Sequence, residues 1–121
     1  MSKRILIADD DDDALAGLAH LLQGMGHEVA LAANGAQAVE VAAQFEPEVV
    51  ILDLGMPFVD GLDAARELRR LPNGPAMMLV ALTGWGQPQH REMTLDAGFD
   101  VHLVKPISAD QLQFILSMTQ P

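Results

Sequence analysis

Residues 49–53, Val-Val-Ile-Leu-Asp, constrain the fold more than any other stretch of the chain. Four apolar residues, two Val and one Ile among them, run straight into a single acid, Asp53, and Gly55 and Pro57 stop the run. A short continuous apolar run bounded by turn residues reads as a strand buried on both faces, as in a parallel sheet. Asp53 then stands at the carboxyl end of that strand, the edge at which open α/β sheets bind ligands. An acid in this place can equally cap a turn or sit in solvent. Its meaning depends on what the other strands end in.

The same kind of run recurs. Residues 4–8 end in five consecutive acids, Asp9 to Asp13. Residues 28–32 form a second strand, residues 76–82 a fourth that ends at Thr83, and residues 101–104 a short fifth that ends at Lys105-Pro106. Between them the apolar spacing turns helical. From Ala14, Leu15, Leu18, Leu22 and Met25 share a face, with Asp11 or Asp12 as N-cap and Gly24 and Gly26 as the stop. Asn34-Gly35 makes a turn before a helix over 36–45 with Val39, Ala42 and Ala43 inward. A looser segment from Met56 to Gly61 leads into a helix with Leu62, Ala65 and Leu68 on one face and Arg66, Glu67, Arg69 and Arg70 as a solvated stripe. Pro88 opens a fourth helix that Ala97-Gly98 closes, and Ser108 caps a last one with Leu112, Ile115 and Leu116 inward. Strands without period-two alternation need cover on both faces, so five strands alternating with five helices give a three-layer α/β sandwich. The pattern alone leaves the strand order open.

The 121 residues suit one domain, and 50% hydrophobic content is ample for a core. A net charge of −10 disfavours nucleic acid and anionic membrane, and suits a divalent cation or a partner with a basic or apolar face. The absence of cysteine removes disulfides, thiolate catalysis and Cys-based zinc sites. No signal peptide and no membrane-length apolar run stands out, which makes the cytoplasm the expected location.

A parallel sheet brings Asp9, Asp10, Asp53, Thr83 and Lys105 to one edge. Carboxylates gathered there repel unless a cation or a proton sits among them. A hard divalent ion with oxygen ligands, Mg²⁺ above all, answers that, and no His or Cys stands at zinc spacing. A hydroxyl and an ammonium beside such an ion suit a phosphoryl group.

In these residues the chain resembles the response-regulator receiver domains of two-component signalling. The resemblance rests on Asp9-Asp10, on Asp53 with Met56-Pro57 and Asp60-Gly61, on Thr83 and on Lys105-Pro106, and it spans residues 1–121 as a single domain. It implies the flavodoxin-like strand order 2-1-3-4-5. It also implies that Asp53 is the phosphoacceptor for a histidine kinase or histidine phosphotransfer protein. Mg²⁺ (or Mn²⁺) would be bound by Asp10, Asp53 and the Gly55 carbonyl, with Asp9 acting through water. Thr83 and Lys105 would bind the phosphoryl oxygens, and the Lys105–Pro106 bond would be cis. Such a domain catalyses only its own phosphorylation and dephosphorylation. Thr83 would switch the face formed by the last two helices and the fifth strand, a face that also suits a weak homodimer.

Two departures from the family pattern stand out. His102 occupies the place where many receivers carry Tyr or Phe as second switch residue, so the expected role is either an altered switch or a partly exposed strand residue. Gly55 leaves the phosphoryl position without a flanking side chain, which predicts quick phosphate turnover. Thr83-Gly84-Trp85-Gly86 and Ala97-Gly98-Phe99-Asp100 look like receivers joined to sensor histidine kinases, so the chain is expected to be a stand-alone regulator or a piece of a hybrid kinase. A pseudo-receiver that only binds partners would not need the intact acids, Thr83 and Lys105. A small-molecule phosphatase would need an acid where Gly55 stands, and an acidic mouth would repel a flavin phosphate. His20, His27 and His90 are expected in solvent, Met77, Met78 and Met93 in the core, Asp12 and Asp13 at the helix start, and Trp85 beside the site.

Overall fold

The computed structural model describes residues 2–54, 58–84 and 91–118. Five strands, β1 (Arg4–Ala8), β2 (Glu28–Ala32), β3 (Val49–Asp53), β4 (Met78–Thr83) and β5 (Val101–Val104), form one parallel sheet in the order β2-β1-β3-β4-β5. The helices are α1 (Asp12–Gly24), α2 (Gly35–Phe45), α3 (Phe58–Arg69), α4 (Arg91–Ala97) and α5 (Ala109–Ser117). Parallel neighbours need a crossover, and each helix supplies one or follows the last strand.

The core divides as a two-sided sheet requires. Leu6, Val50, Leu52, Leu79 and Ala81 point to the side of α2, α3 and α4, and the alternate residues Ile5, Ile7, Val49, Ile51, Val80 and Leu82 pack with α1 and α5. β3, central in the sheet, is buried at all five positions, which is why its sequence shows no polar alternation. The edge strands β2 and β5 are only partly covered, and Leu31 on β2 is exposed.

Local chemistry sets the helix ends. Asp11 caps α1 by accepting the Asp13 and Ala14 amides, and Asp12 and Asp13 lie exposed in its first turn, favourable to the helix dipole. Asn34 caps α2 rather than only turning the chain, and Ser108 with Gln111 forms a capping box on α5. Leu15 and Leu22 of α1, Leu62, Ala65 and Leu68 of α3, and Leu112, Ile115 and Leu116 of α5 are buried as their spacing predicts.

Several boundaries and faces differ from the sequence reading. On α2 the buried positions are Gly35, Ala38 and Ala42, with Val39 half-buried and Ala43 exposed. α3 begins at Phe58, inside the segment expected to be loose. β4 starts at Met78 rather than Ala76, because Gly74–Ala76 coils into a 3-10 turn that Pro75 favours. Met77 is buried and Met78 half-buried, as expected of core methionines, whereas Pro88 falls outside the described residues.

Arg69 departs most from expectation. It does not join a solvated stripe with Arg66, Glu67 and Arg70. It lies four residues after buried Ala65, on the same side of α3, and its guanidinium fork is spent on the chain around it. Nη1 donates to the Gly74 and Met77 carbonyls at 2.9 and 2.6 Å. Nε and Nη2 donate to the Gly98 carbonyl at 3.0 and 2.5 Å, and Nη2 pairs with Asp100 at 2.7 Å. Gly98, at φ +107, passes so close that a Cβ would meet the Arg69 stem at 3.0 Å. His27 also differs from expectation: it is half-buried, and its Nδ1 accepts the Lys3 amide at 3.1 Å. His20 is exposed as expected, and His90 lies outside the described residues.

Candidate functional site

Backbone bonds beyond the strand ends hold the carboxyl edge of the sheet in register. The Asp9 amide donates to the Ala32 carbonyl at 3.1 Å, Leu54 to Leu82 at 2.7 Å and Lys105 to Thr83 at 2.8 Å. Each bond fixes the residue that begins or follows a loop, so side chains from β1, β3 and β5 are aimed at one point. Lys105 enters its loop through a cis bond to Pro106, as expected.

At that point Asp9 and Asp53 are both buried, at 5% and 3% exposure. Lys105 Nζ donates to Asp53 Oδ2 and lies 3.5 Å from Asp9 Oδ2. The Asp11 amide donates to Asp9 Oδ1 at 3.0 Å, which orients that carboxyl. Asp10, its neighbour in sequence, is exposed at the rim.

Two carboxylates share one ammonium here, and the titration reflects it. The Asp9 carboxyl is raised from 3.8 to about 6, first by burial and then by its hydrogen bond with Asp53; the Asp11 amide and the Lys105 charge pull the other way. Burial alone would lower Lys105, but the hydrogen bond and charge of Asp53, with Asp9 behind it, outweigh that and raise it. Ionised together, the three groups carry one uncompensated negative charge, before Asp10 is counted. Among the described residues no three acidic, His or Cys side chains are gathered as a ready metal cluster. The buried pair of hard oxygen donors, short of one positive charge, is nonetheless the chemistry that suits Mg²⁺.

Thr83 ends β4 with 1% exposure. Its Oγ1 lies 3.2 Å from His102 Nε2, and its hydroxyl donates to the Leu103 carbonyl at 3.5 Å. A groove of about 600 Å³ bounded by Leu18, Leu21, Leu82, Gly84 and Ile107 opens beside Asp9 and Lys105. The structure therefore brings Asp9, Asp53 and Lys105 together and places Thr83 against His102. Gly55 and Trp85 lie outside the described residues. Sequence reasoning missed the Thr83–His102 contact, although two polar residues facing one side of adjacent strand ends were the available signal. No helix among the described residues is long and apolar enough to cross a membrane.

Residues 5–117 match the family model of the response regulator receiver domain. The transcriptional regulatory protein PrrA of Mycobacterium bovis is 37% identical over 111 residues, covering 92% of this chain and 47% of its own length. The chain thus spans about half the length of the curated relatives it matches. The receiver domain of the sensor histidine kinase PA1611 from Pseudomonas aeruginosa, solved with a magnesium ion coordinated in its active-site cleft, is 32% identical with a TM-score of 0.85, covering 97% of this chain and 96% of that one. The chemotaxis protein CheY4 of Vibrio cholerae superposes with a TM-score of 0.88 at 26% identity, over 99% of this chain and 100% of its own. With fold, strand order and sequence in agreement, this chain belongs to the response-regulator receiver domains of two-component signalling.

Proposed function

We propose that Asp53 is the phosphoacceptor of this receiver domain and takes its phosphoryl group from a phosphohistidine on a histidine kinase or histidine phosphotransfer protein. In that step an Asp53 carboxylate oxygen forms the new P–O bond. The P–N bond breaks, and its electron pair stays with the partner's imidazole. The observation that carries this reading is the buried Asp53 held by Lys105, beside Asp9, at the carboxyl edge of the sheet. Lys105 neutralises charge on the transferring oxygens, and the Thr83 hydroxyl is the further donor at that edge.

Mg²⁺ or Mn²⁺ would be held by Asp10, Asp53 and the Gly55 carbonyl, with Asp9 acting through a water. When bound, the ion supplies charge neutralisation for the attacking and transferring oxygens. The rest is positioning: Asp53 is fixed by Lys105, and Asp9 is fixed by the Asp11 amide. The same machinery serves hydrolysis of the acyl phosphate, which the absence of a side chain at Gly55 would speed. The domain thus catalyses its own phosphorylation and dephosphorylation, and we read residues 1–121 as one receiver unit.

The test is incubation with phosphoramidate and Mg²⁺, read by intact mass, for the wild type and Asp53→Asn. A single phosphoryl adduct, lost in D53N and on chelation, is expected. An adduct that survives in D53N, or no adduct at any time, would refute the assignment.

A further inference from the structure

We propose that Asp11 is a positioning residue for the metal-assisted transfer: its side chain caps α1 and thereby aims its own amide at Asp9. This rests on the reading of Asp53 as phosphoacceptor with Mg²⁺ beside it. Two Asx turns run in series through Asp11. In the first, Asp9 Oδ1 accepts the Asp11 amide at 3.0 Å. In the second, Asp11 Oδ1 accepts the amides of Asp13 and Ala14 at 3.0 and 3.4 Å. One residue therefore serves the site with its backbone and the helix with its side chain.

The Asp9 backbone is anchored on β2 through the Ala32 carbonyl at 3.1 Å, and its Oδ2 faces Lys105 at 3.5 Å. The bond from residue 11 settles what is left, the rotation of the carboxyl group. The peptide unit that donates it joins Asp10 to Asp11 and is planar, so the same bond fixes the backbone from which Asp10 stands at the rim. What holds that unit is the far end of Asp11. Its carboxylate is tied to the first turn of α1, and its carbonyl accepts the amide of Leu15, whose side chain is buried. With the cap released, residue 11 can turn at φ and ψ and carry its amide off Asp9. A cap that served only the helix would leave the two acids as they are. By linkage the effect runs both ways, and an ion that needs the acids so placed tightens the first turn of α1.

The experiment compares the wild type, Asp11→Ala, Asp11→Gly, Asp11→Asn and, as a cap on another helix, Asn34→Ala, all in the full chain. Hydrogen exchange in chelator, read by NMR, gives the protection of the residue-11 amide without metal or phosphoryl donor. Protection should fall about three- to tenfold in D11A and D11G and hold in D11N and N34A. Adduct formation from phosphoramidate is then followed while Mg²⁺ is titrated. Outer partners of metal ligands are worth about 10- to 100-fold in affinity, and the Asp11 side chain stands one bond further out. Half-saturating Mg²⁺ should therefore rise about three- to tenfold in D11A and D11G, with the rate at saturating Mg²⁺ within about twofold of wild type. D11N caps without a charge and should behave as wild type; Gly costs an N-cap little stability, so D11G separates pose from helix stability. Unchanged protection, an unchanged Mg²⁺ requirement, or a D11N as weak as D11A would each overturn the inference while leaving Asp53 as acceptor. So would an N34A that weakens Mg²⁺ as much as D11A does. A wild type that forms no adduct would overturn both readings.

Discussion

Replacing Asp9 with Asn should stabilise the metal-free protein, by an amount that grows with pH. The Asp9 carboxyl rises from 3.8 to about 6 on folding, chiefly through burial and then through Asp53. Below 3.8 both folded and unfolded chains hold the proton and the site costs nothing. Between 3.8 and about 6 the unfolded chain releases its proton while the folded one retains it, so stability falls as pH rises through this window. Above it the loss is complete, and a rise of that size corresponds to about 3 kcal/mol. Solvent reaching the rim of the site trims this, so about 1–3 kcal/mol is expected. Asn is close in shape to the protonated acid and neutral throughout. Its oxygen can accept the Asp11 amide as Asp9 Oδ1 does, and its NH₂ can donate toward Asp53. Urea unfolding of both proteins in chelator, across the window, gives the difference directly. It should be near zero at the acid end and largest at neutral pH. Mg²⁺ should shrink or reverse it, because the ion selects ionised carboxylates. A D9N protein no more stable than wild type at neutral pH in chelator, or a difference independent of pH, would refute the account of the acid pair.

Two further outcomes follow from contacts remote from that pair. Arg69→Met should cost roughly 2–4 kcal/mol in urea unfolding, because three backbone carbonyls lose charge-assisted donors, and Arg69→Lys should recover only part of that; an R69M protein as stable as wild type would show the fork to be idle. His27 is lowered from 6.5 by burial first and by Lys3 among other causes, and only its neutral form can accept the Lys3 amide. Its contribution is therefore complete above 6.5 and lost as pH falls through the lowered value, so wild type should lose stability against His27→Asn on acidification, and parallel pH profiles would contradict this.

Much of the architecture is legible in the order of residues because a parallel sheet writes itself as unbroken apolar runs. Arg4–Ala8, Val49–Asp53 and Val101–Val104 needed no alternation to be read as strands, and the residues that end or follow them, Asp9, Asp53 and Lys105, already name the chemistry of one edge. Helix ends were legible where a side chain makes a local bond, as at Asp11 and Ser108. The failures have a common cause, which is dependence on groups distant in the chain. α2 is rich in alanine on every side, so nothing in its own pattern says that Ala38 and Ala42, not Ala43, meet the sheet. The Arg66–Arg70 stretch looks like a solvated stripe until the 3-10 turn and Gly98 bring carbonyls within reach of Arg69.

The candidate site divides along the same line. Local sequence determined which residue types reach the carboxyl edge: acids from β1 and β3, a hydroxyl from β4, an ammonium after β5. Only the tertiary structure decided that Asp9 is the buried acid and Asp10 the exposed one. Adjacent residues point to opposite sides, and the choice between them rests on the bond from Asp9 to Ala32 on another strand. In the same way, His102 means little as a letter before Lys105. Only the parallel pairing of β4 and β5 puts it 3.2 Å from the Thr83 hydroxyl.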